Sequence, residues 1–283
     1  MLRGLYTATA GMLTQQRRTE MLSNNMANSQ TPGYKADQGS VRAFPEMLLQ
    51  RLDNKSVPTV NGTNFGGMTP IGSINTGVYL QELSNQYIQG GLKETGLKSD
   101  VALVEENVPF NPETNIKGAL LFAVETATGD ERYTRNGNFS LDNNGILLSN
   151  GNIVLSADGQ PISIQTSNYE INSNGEVFNL DLPADEQFLG QIDVRYEADV
   201  RNLVKEGNGL YRTADEGVLP TAIGNGNIQY NLRQNYVENS TVDVGRTYTD
   251  MMTAYRSFEA NQKVLQAYDR SMDKAANEIG RLR

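Results

Sequence analysis

Three acidic doublets, Glu105-Glu106, Asp130-Glu131 and Asp215-Glu216, come nearest to a catalytic pattern in this 283-residue chain. Two carboxylates held roughly 5–10 Å apart across a sugar can act as acid and base, or acid and nucleophile, in glycoside hydrolysis. Neighbours on a strand point to opposite faces, so a doublet is not itself such a pair, and the plainer reading is a solvated hairpin tip. Asp142-Asn143-Asn144-Gly145 hints at a calcium loop. It lacks the alternating acids and distal Glu of that motif and reads as a turn. Gly207-Asn208-Gly209 has no third glycine, and Leu210-Tyr211-Arg212 after it reads as strand, so a phosphate cradle is not expected. Arg17-Arg18, Arg281 and Arg283 are too few for a nucleic-acid patch and read as solvated helix faces.

The missing residue types exclude more. The chain has no Cys, His or Trp. Thiolate chemistry, disulfides, a Ser-His-Asp triad and the common zinc and non-haem iron ligand sets are thereby unavailable. With 24 Lys+Arg against 33 Asp+Glu the net charge is −9, opposite to what counterion release on nucleic acid requires. The expectation is a protein that is not an enzyme, with no catalytic residues, cofactor, metal, small-molecule substrate or nucleic-acid partner. No run approaches the ~20 apolar residues of a membrane span, so membrane insertion is not expected. Met1–Leu13 carries one Arg, a mildly apolar stretch and an Ala8-Thr9-Ala10 sequence. Gly4, Thr7, Thr9 and Gly11 weaken it as a secretory signal, and no cleaved leader is expected.

The elements that would carry a function lie at the two ends. In Met1–Asn28 apolar or small residues recur at Met1, Leu5, Ala8, Met12, Leu22 and Met26, with Gln15 and Thr19 as polar interruptions. This spacing predicts a helix, stopped by Pro32 and Gly33. From Val244 the steps alternate four and three residues through Tyr248, Met251, Tyr255, Phe258, Gln262, Leu265, Asp269, Met272, Ala276 and Ile279. Ser240-Thr241 are the N-cap candidates before this run. A helix from Ser240 to Leu282 would be about 65 Å long. A seam held at 3.5 residues over several heptads favours packing on another helix, and the N-terminal seam is the natural partner. Gln262 and Asp269 would then set register at a cost in stability.

Between the ends the pattern changes. Residues 35–78 read as a linker, with a helical patch at Phe44–Leu52 and a turn-rich stretch from Asn61 to Gly77. From Tyr79 to Arg233 hairpin signals dominate: Asn144-Gly145, Asn150-Gly151, Asp158-Gly159 and Asn174-Gly175 separate short apolar runs. Asn-Gly and Asp-Gly accept positive φ at both central positions of a two-residue hairpin turn. The 27 Gly and 30 Asn suit such a domain. The expected fold is α+β: long N- and C-terminal helices pair as a coiled-coil-like axial domain, with an all-β, hairpin-rich middle as the outer domain. The expected boundaries are 1–34 for the first helix, 35–78 for the linker, 79–235 for the β-domain and 236–283 for the second helix.

The N-terminal stretch Leu22-Ser23-Asn24-Asn25-Met26-Ala27-Asn28-Ser29-Gln30-Thr31-Pro32-Gly33-Tyr34-Lys35 closely resembles the signature of the flagellar basal-body rod and hook family. There, a Leu-x-Asn-Asn-x-Ala-Asn helix end runs into Thr-Pro-Gly-Tyr-Lys. The matching motif residues are Asn24, Asn25, Ala27, Asn28, Thr31, Pro32, Gly33, Tyr34 and Lys35. Glu238-Asn239-Ser240-Thr241-Val242-Asp243 and Ala254-Tyr255-Arg256-Ser257-Phe258-Glu259-Ala260-Asn261-Gln262-Lys263 resemble its C-terminal region. Tyr133-Thr134-Arg135-Asn136-Gly137-Asn138-Phe139 is similar to the β-domain motif of the distal-rod branch. One departure stands out. After Asp100-Val101-Ala102-Leu103 the family usually has Gly-x-Gly-Phe-Phe, whereas here Glu105-Glu106-Asn107-Val108-Pro109-Phe110-Asn111-Pro112 and Lys117-Gly118 imply an altered or extended hairpin.

The resemblance implies a structural subunit of the distal rod, or a hook component of the same family. Such a subunit would be exported without a cleaved signal through the flagellar export apparatus into the cell envelope. There it would polymerise with itself and other rod and hook subunits into a hollow helical driveshaft that transmits torque. Its assembly seam would comprise Leu5, Met12, Leu22, Met26, Tyr248, Met251, Tyr255, Phe258, Leu265, Met272 and Ile279. The rival from another class is a carboxylate-based cell-wall glycan hydrolase using Asp130 or Glu131.

Overall fold

The computed structural model describes residues 2–56, 64–85, 87–183, 187–215 and 217–278. Ile279, Glu216, Arg281 and Arg283 lie outside the described residues, as does part of the expected turn-rich stretch. The chain divides into two compact units: Met1–Asn24, Gln38–Leu83 and Gly245–Arg283 form one, and Asn25–Asp37 with Ser84–Val244 form the other.

The first unit is built on α1 (Leu2–Ala27) and carries a β arm: β1 (Asp37–Ala43), β2 (Met47–Ser56), β3 (Asn64–Ile74) and β4 (Val78–Asn85). β1 pairs with β4, and β2 pairs antiparallel with β3 from Met47↔Ile74 to Ser56↔Asn64. The helix expected at Phe44–Leu52 is therefore strand. Pro45 stands before it, and a ten-residue ladder with β3 is available. The ladder outweighs the weak helical preference of Met47-Leu48-Leu49. The hydroxyl of Thr14 in α1 donates to the carbonyl of Val78 at 3.0 Å, tying the helix to the arm.

The second helix, α2 (Val244–Glu278), is about 52 Å long by its 35 residues. It contacts α1 within this unit. Tyr268 sits over Gly4, where a Cβ would lie 1.9 Å from its hydroxyl, and the Asn261 side chain sits over Gly11. Arg18 lies 3.7 Å from Asp250. As α1 runs forward its contacts run backward along α2, so the two helices are antiparallel. Neither Ser240 nor Thr241 caps α2, which begins three residues later; Thr241 accepts instead from the Ala36 N–H at 2.9 Å.

The second unit contains β5 (Leu92–Glu94), β6 (Val101–Asn107), β7 (Ala119–Glu125), β8 (Glu131–Thr134), β9 (Phe139–Leu141), β10 (Leu147–Ser149) and β11 (Asn152–Val154). It continues with β12 (Tyr169–Ile171), β13 (Glu176–Asn179), β14 (Phe188–Gln191), β15 (Val194–Glu197), β16 (Leu203–Lys205), β17 (Leu210–Thr213), β18 (Gln229–Gln234) and β19 (Tyr236–Glu238). Its largest sheet runs β16-β17-β8-β7-β11-β10-β9, with β15 also on β7; β6 pairs with β18 and β5 with β19. β7 is the centre. Leu120, Phe122 and Val124 point into one apolar cluster, with Leu103, Leu147 and Val194, while Ala119 and Leu121 join Tyr133, Leu203 and Tyr211 in another. A strand covered on both faces reads as a continuous apolar run, which is the pattern of Ala119-Leu120-Leu121-Phe122-Ala123-Val124.

Of the four expected two-residue turns, only Asn150-Gly151 has positive φ at both residues. At Asn144-Gly145, Asp158-Gly159 and Asn174-Gly175 the glycine alone is left-handed, and its N–H donates to the carbonyl three residues back, of Asp142, Ser156 and Asn172. Asn150 (φ 48°) and Gly151 (φ 84°) form the two-residue turn between Ser149 and Asn152, both residues left-handed as a type I′ hairpin requires. Asn208 and Gly209 also have positive φ and join β16 to β17, so the Gly-x-Gly is a hairpin turn.

Candidate functional site

The three segments that carry the family motifs meet in the β-rich unit around one buried cluster of charges. The Lys35 ammonium lies 2.7 Å from Glu238 Oε1, and Arg135 Nε lies 2.6 Å from Glu238 Oε2. All three residues are essentially without solvent contact. Arg135 also reaches Glu105 Oε1 at 2.9 Å, and Lys117 lies 2.8 Å from Glu105 Oε2. The remaining donors are used as well. Lys35 donates to the Ile88 carbonyl, Arg135 to the carbonyls of Leu120 and Leu103, and the Gly90 N–H donates to Glu238 Oε1. A buried charge network persists only when this satisfaction is complete, because each ion loses its hydration on burial.

Four charges are buried and balance, Lys35 and Arg135 against Glu105 and Glu238, while Lys117 joins from the rim with its side chain 36% exposed. Burial and then the Arg135 charge push the Lys35 ammonium down to about 8, against the pull of Glu238. For Glu238 burial acts upward, but Arg135 and then Lys35 outweigh it and hold the carboxyl below its ordinary value. Burial acts against the charged form of both partners: at Lys35 it prevails with the Arg135 charge added to it, whereas at Glu238 two cations outweigh it.

Local backbone chemistry delivers these residues. After α1 ends at Ala27, a turn from Asn28 to Gly33 reverses the chain. Gly33 has φ 69°, and a Cβ there would lie 2.3 Å from the Arg135 carbonyl, so only glycine fits. Its N–H donates to the Glu238 carbonyl at 2.8 Å, and the Thr241 N–H donates to the Tyr34 carbonyl at 3.0 Å. The roots of both terminal helices are thus bonded to each other. Asn25, buried, clasps the turn with its amide: Nδ2 donates to the Asp37 carbonyl, and Oδ1 accepts from the Asp37 N–H and the Tyr34 hydroxyl. Burial, and then the Asp37 charge, raise the Tyr34 hydroxyl above its ordinary range, so it stays a donor. Lys205 stands 3.9 Å over the Tyr34 ring and 3.0 Å from Asp37. Among the other motif positions, Asn24 and Ala27 are exposed, while Asn28, Thr31 and Pro32 are half-buried in the turn.

The acidic doublets serve different ends. Asp130 is exposed in the β7–β8 turn and accepts from the Thr128 hydroxyl at 2.8 Å. Glu131 opens β8 opposite Glu125. Asp215 is exposed. Glu105 corrects the solvated-tip reading, because its side chain is 4% exposed and locked between Arg135 and Lys117. Glu105 and Lys117 both come from the segment that departs from the family pattern. That segment extends β6 to Asn107 and closes a hairpin-like excursion through the Phe110↔Lys117 bridge.

The helical unit is as open as the cluster is closed. In α2 the covered row is Thr247, Met251, Ala254, Phe258, Asn261, Leu265 and Tyr268. Of the expected seam, Met251, Phe258 and Leu265 lie half-buried on this row, whereas Tyr248 (55% exposed), Tyr255 (52%) and Met272 lie on open surface. In α1, Leu22 is buried and Leu5, Met12 and Met26 are half-buried. Apolar periodicity missed the partners Gly4 with Tyr268 and Gly11 with Asn261. The usable signal was the matching seven-residue spacing of the two glycines and of Asn261 and Tyr268. A groove of about 480 Å³ also opens in this unit, between α1 (Tyr6, Ala10, Leu13) and the arm (Phe44, Leu48, Ile74).

Comparison with known proteins falls on the same three segments. The chain matches the family model described as flagella basal body rod protein over residues 5–35. It matches the flagellar hook protein FlgE/F/G D1 domain over 115–179 and the flagellar basal body rod FlgEFG protein C-terminal region over 233–278. Lys35, Arg135 and Glu238 fall one in each. The chain is 55% identical over 282 residues, 100% of both chains, to the flagellar hook-basal body complex protein FlhO of Bacillus subtilis (strain 168). It is 30% identical over 288 residues to the flagellar basal-body rod protein FlgG of the same organism, covering 98% of this chain and 99% of the relative. It is also 30% identical over 275 residues to FlgG of Agrobacterium fabrum, covering 95% and 96%. With these matches spanning its whole length, and its three motif segments meeting in one buried cluster, the chain belongs to the flagellar basal-body rod and hook protein family, as a structural component.

Proposed function

We propose that the chain is a rod subunit of distal type that polymerises through its terminal helices into a hollow, torque-transmitting shaft. The observation that carries this reading is the asymmetry of α2. Its helix buries only Thr247 and Ala254 fully, while Tyr248, Met252 and Tyr255 stay open to solvent along one side. A helix of this length with an uncovered aromatic stripe needs further partners to bury it. Copies of the chain, and other rod and hook subunits, are the partners this reading assigns. The seam residues Leu5, Met12, Leu22, Met26, Met251, Phe258, Leu265 and Met272 would then be shared between intrachain and intersubunit packing, with Tyr248 and Tyr255 serving the second. The coiled-coil-like character of the α1–α2 pair would be completed in the polymer. No helix among the described residues is long and apolar enough to cross a membrane, which suits passage through the export apparatus and assembly in the cell envelope.

Labelled-subunit imaging on isolated basal bodies tests the assignment. Label confined to the rod, together with loss of motility when the subunit is absent, is expected. Label confined to the hook would move the chain to a hook role, and label absent from both structures would overturn the proposal.

A further inference from the structure

Two uncharged apolar surfaces of the helical unit lie open on the same chain. One is the groove between α1 and the arm, where Leu13 is 51% and Leu48 63% exposed. The other is the α2 stripe Tyr248, Met252 and Tyr255, whose four- and three-residue steps align them on one side of the helix. Because both are exposed within one chain, neither covers the other there. We propose that the α2 stripe of one copy seats its side chains in the α1–arm groove of a second copy. This inference rests on the self-assembly reading above and names the surfaces that would carry it.

Charge argues for a second copy as the occupant. A chain of net charge −9 repels its own kind, so a self-contact has to be made where acids are absent or paired. The groove is lined by no charged side chain. At its edge Glu46 precedes Met47 and Arg42 lies two residues before Phe44, both exposed. On α2, exposed Arg256 follows Tyr255, and Glu259 lies one turn on. On α2 Arg246 and Asp250 beside Tyr248 pair with each other at 3.9 Å, which leaves Arg256 to meet Glu46 and Glu259 to meet Arg42. The fit in size is also reasonable. Tyr248 to Tyr255 spans two turns, about 10 Å, and about 480 Å³ admits inserted side chains rather than a whole helix. Since donor and acceptor surfaces differ, the contact is heterologous and leaves a free surface at each end of a growing chain, as an open filament requires.

The absence of Cys makes the pairing directly testable. Leu48→Cys and Tyr255→Cys would be made singly in the full chain, checked for unchanged circular dichroism, mixed in equal amounts, assembled and mildly oxidised. A disulfide-linked dimer is expected from the mixture and not from Leu48→Cys mixed with Leu141→Cys on the β-rich unit. Polymer without the Leu48–Tyr255 link would overturn the pairing and leave self-assembly standing. Failure of the unsubstituted chain to polymerise at any concentration would overturn the reading beneath it. A link that forms only when a different rod subunit is added, with cysteine placed on that subunit, would overturn the choice of occupant. As a second readout, Glu46→Arg and Arg256→Glu should each slow assembly about tenfold, and the double variant should restore it. Absence of restoration would overturn the charge match.

Discussion

The β-rich unit and the helical unit solve the same problem in opposite ways. In the first, β7 is covered on both faces and even the charged residues of the centre are dry and paired. In the second, two helices and a long hairpin leave Tyr6, Leu13, Leu48, Tyr248 and Tyr255 facing water. A sheet can finish its core within one chain, because its strands supply both sides of every contact. A helix with apolar residues around more than one face cannot, unless other helices reach it. On the proposed reading, the difference separates the part of the molecule that folds alone from the part that neighbours would complete.

The sharpest way to break this comparison is at Glu238. Glu238→Gln keeps the shape but leaves the Lys35 and Arg135 charges buried without their shared anion. A loss of about 3–5 kcal/mol in urea unfolding is expected. Adding Lys35→Met to that variant should cost less than the sum of the two single changes, since the residues are in contact. The exposed counterpart in the helical unit, Arg18→Gln opposite Asp250, should change stability by about 0–1 kcal/mol.

The same cluster also predicts a pH dependence, with two windows of the same sign. The folded Glu238 carboxyl titrates below its unfolded value, so its contribution is present at neutral pH and is lost as pH falls through the acidic range. Lys35 titrates at about 8 when folded against 10.5 when unfolded. Between those values the unfolded chain binds more protons, so this residue makes stability rise with pH from about 8 to 10.5. Stability against pH for the unsubstituted chain and for Lys35→Met should show that alkaline rise only in the former. A rise of equal size in both would place its origin elsewhere.

The hairpins were legible in the sequence because their determinants are local. Each Asn-Gly or Asp-Gly marks a turn, and at Asn150-Gly151 it takes the two-residue form. The two helices were legible from periodicity, and their stop at Pro32-Gly33 from backbone chemistry. The arm was not, because Met47-Leu48-Leu49 becomes strand only through its ladder with residues 64–74. The charge cluster was hidden for a related reason. Arg135 and Glu238 are 103 residues apart and Lys35 and Glu238 are 203 apart, so no spacing rule links them. Each belongs to a family motif, but only the fold makes them partners. On α2 the apolar count points to Tyr248 and Tyr255, whereas the face turned inward within the chain carries buried Ala254 together with Asn261 and Tyr268, the last two set over Gly11 and Gly4 of α1.

The central claim is that the β-rich unit is complete in the monomer and the helical unit only in the assembly. Hydrogen exchange on the soluble chain and on its polymer measures this most directly. In the monomer the amides of β7 and β6 should exchange only on global unfolding, while those of α2 from Tyr248 to Glu278 exchange many times faster. In the polymer α2 should slow to the level of β7. Equal protection of α2 and β7 in the dilute monomer, or no slowing of α2 on assembly, would contradict it.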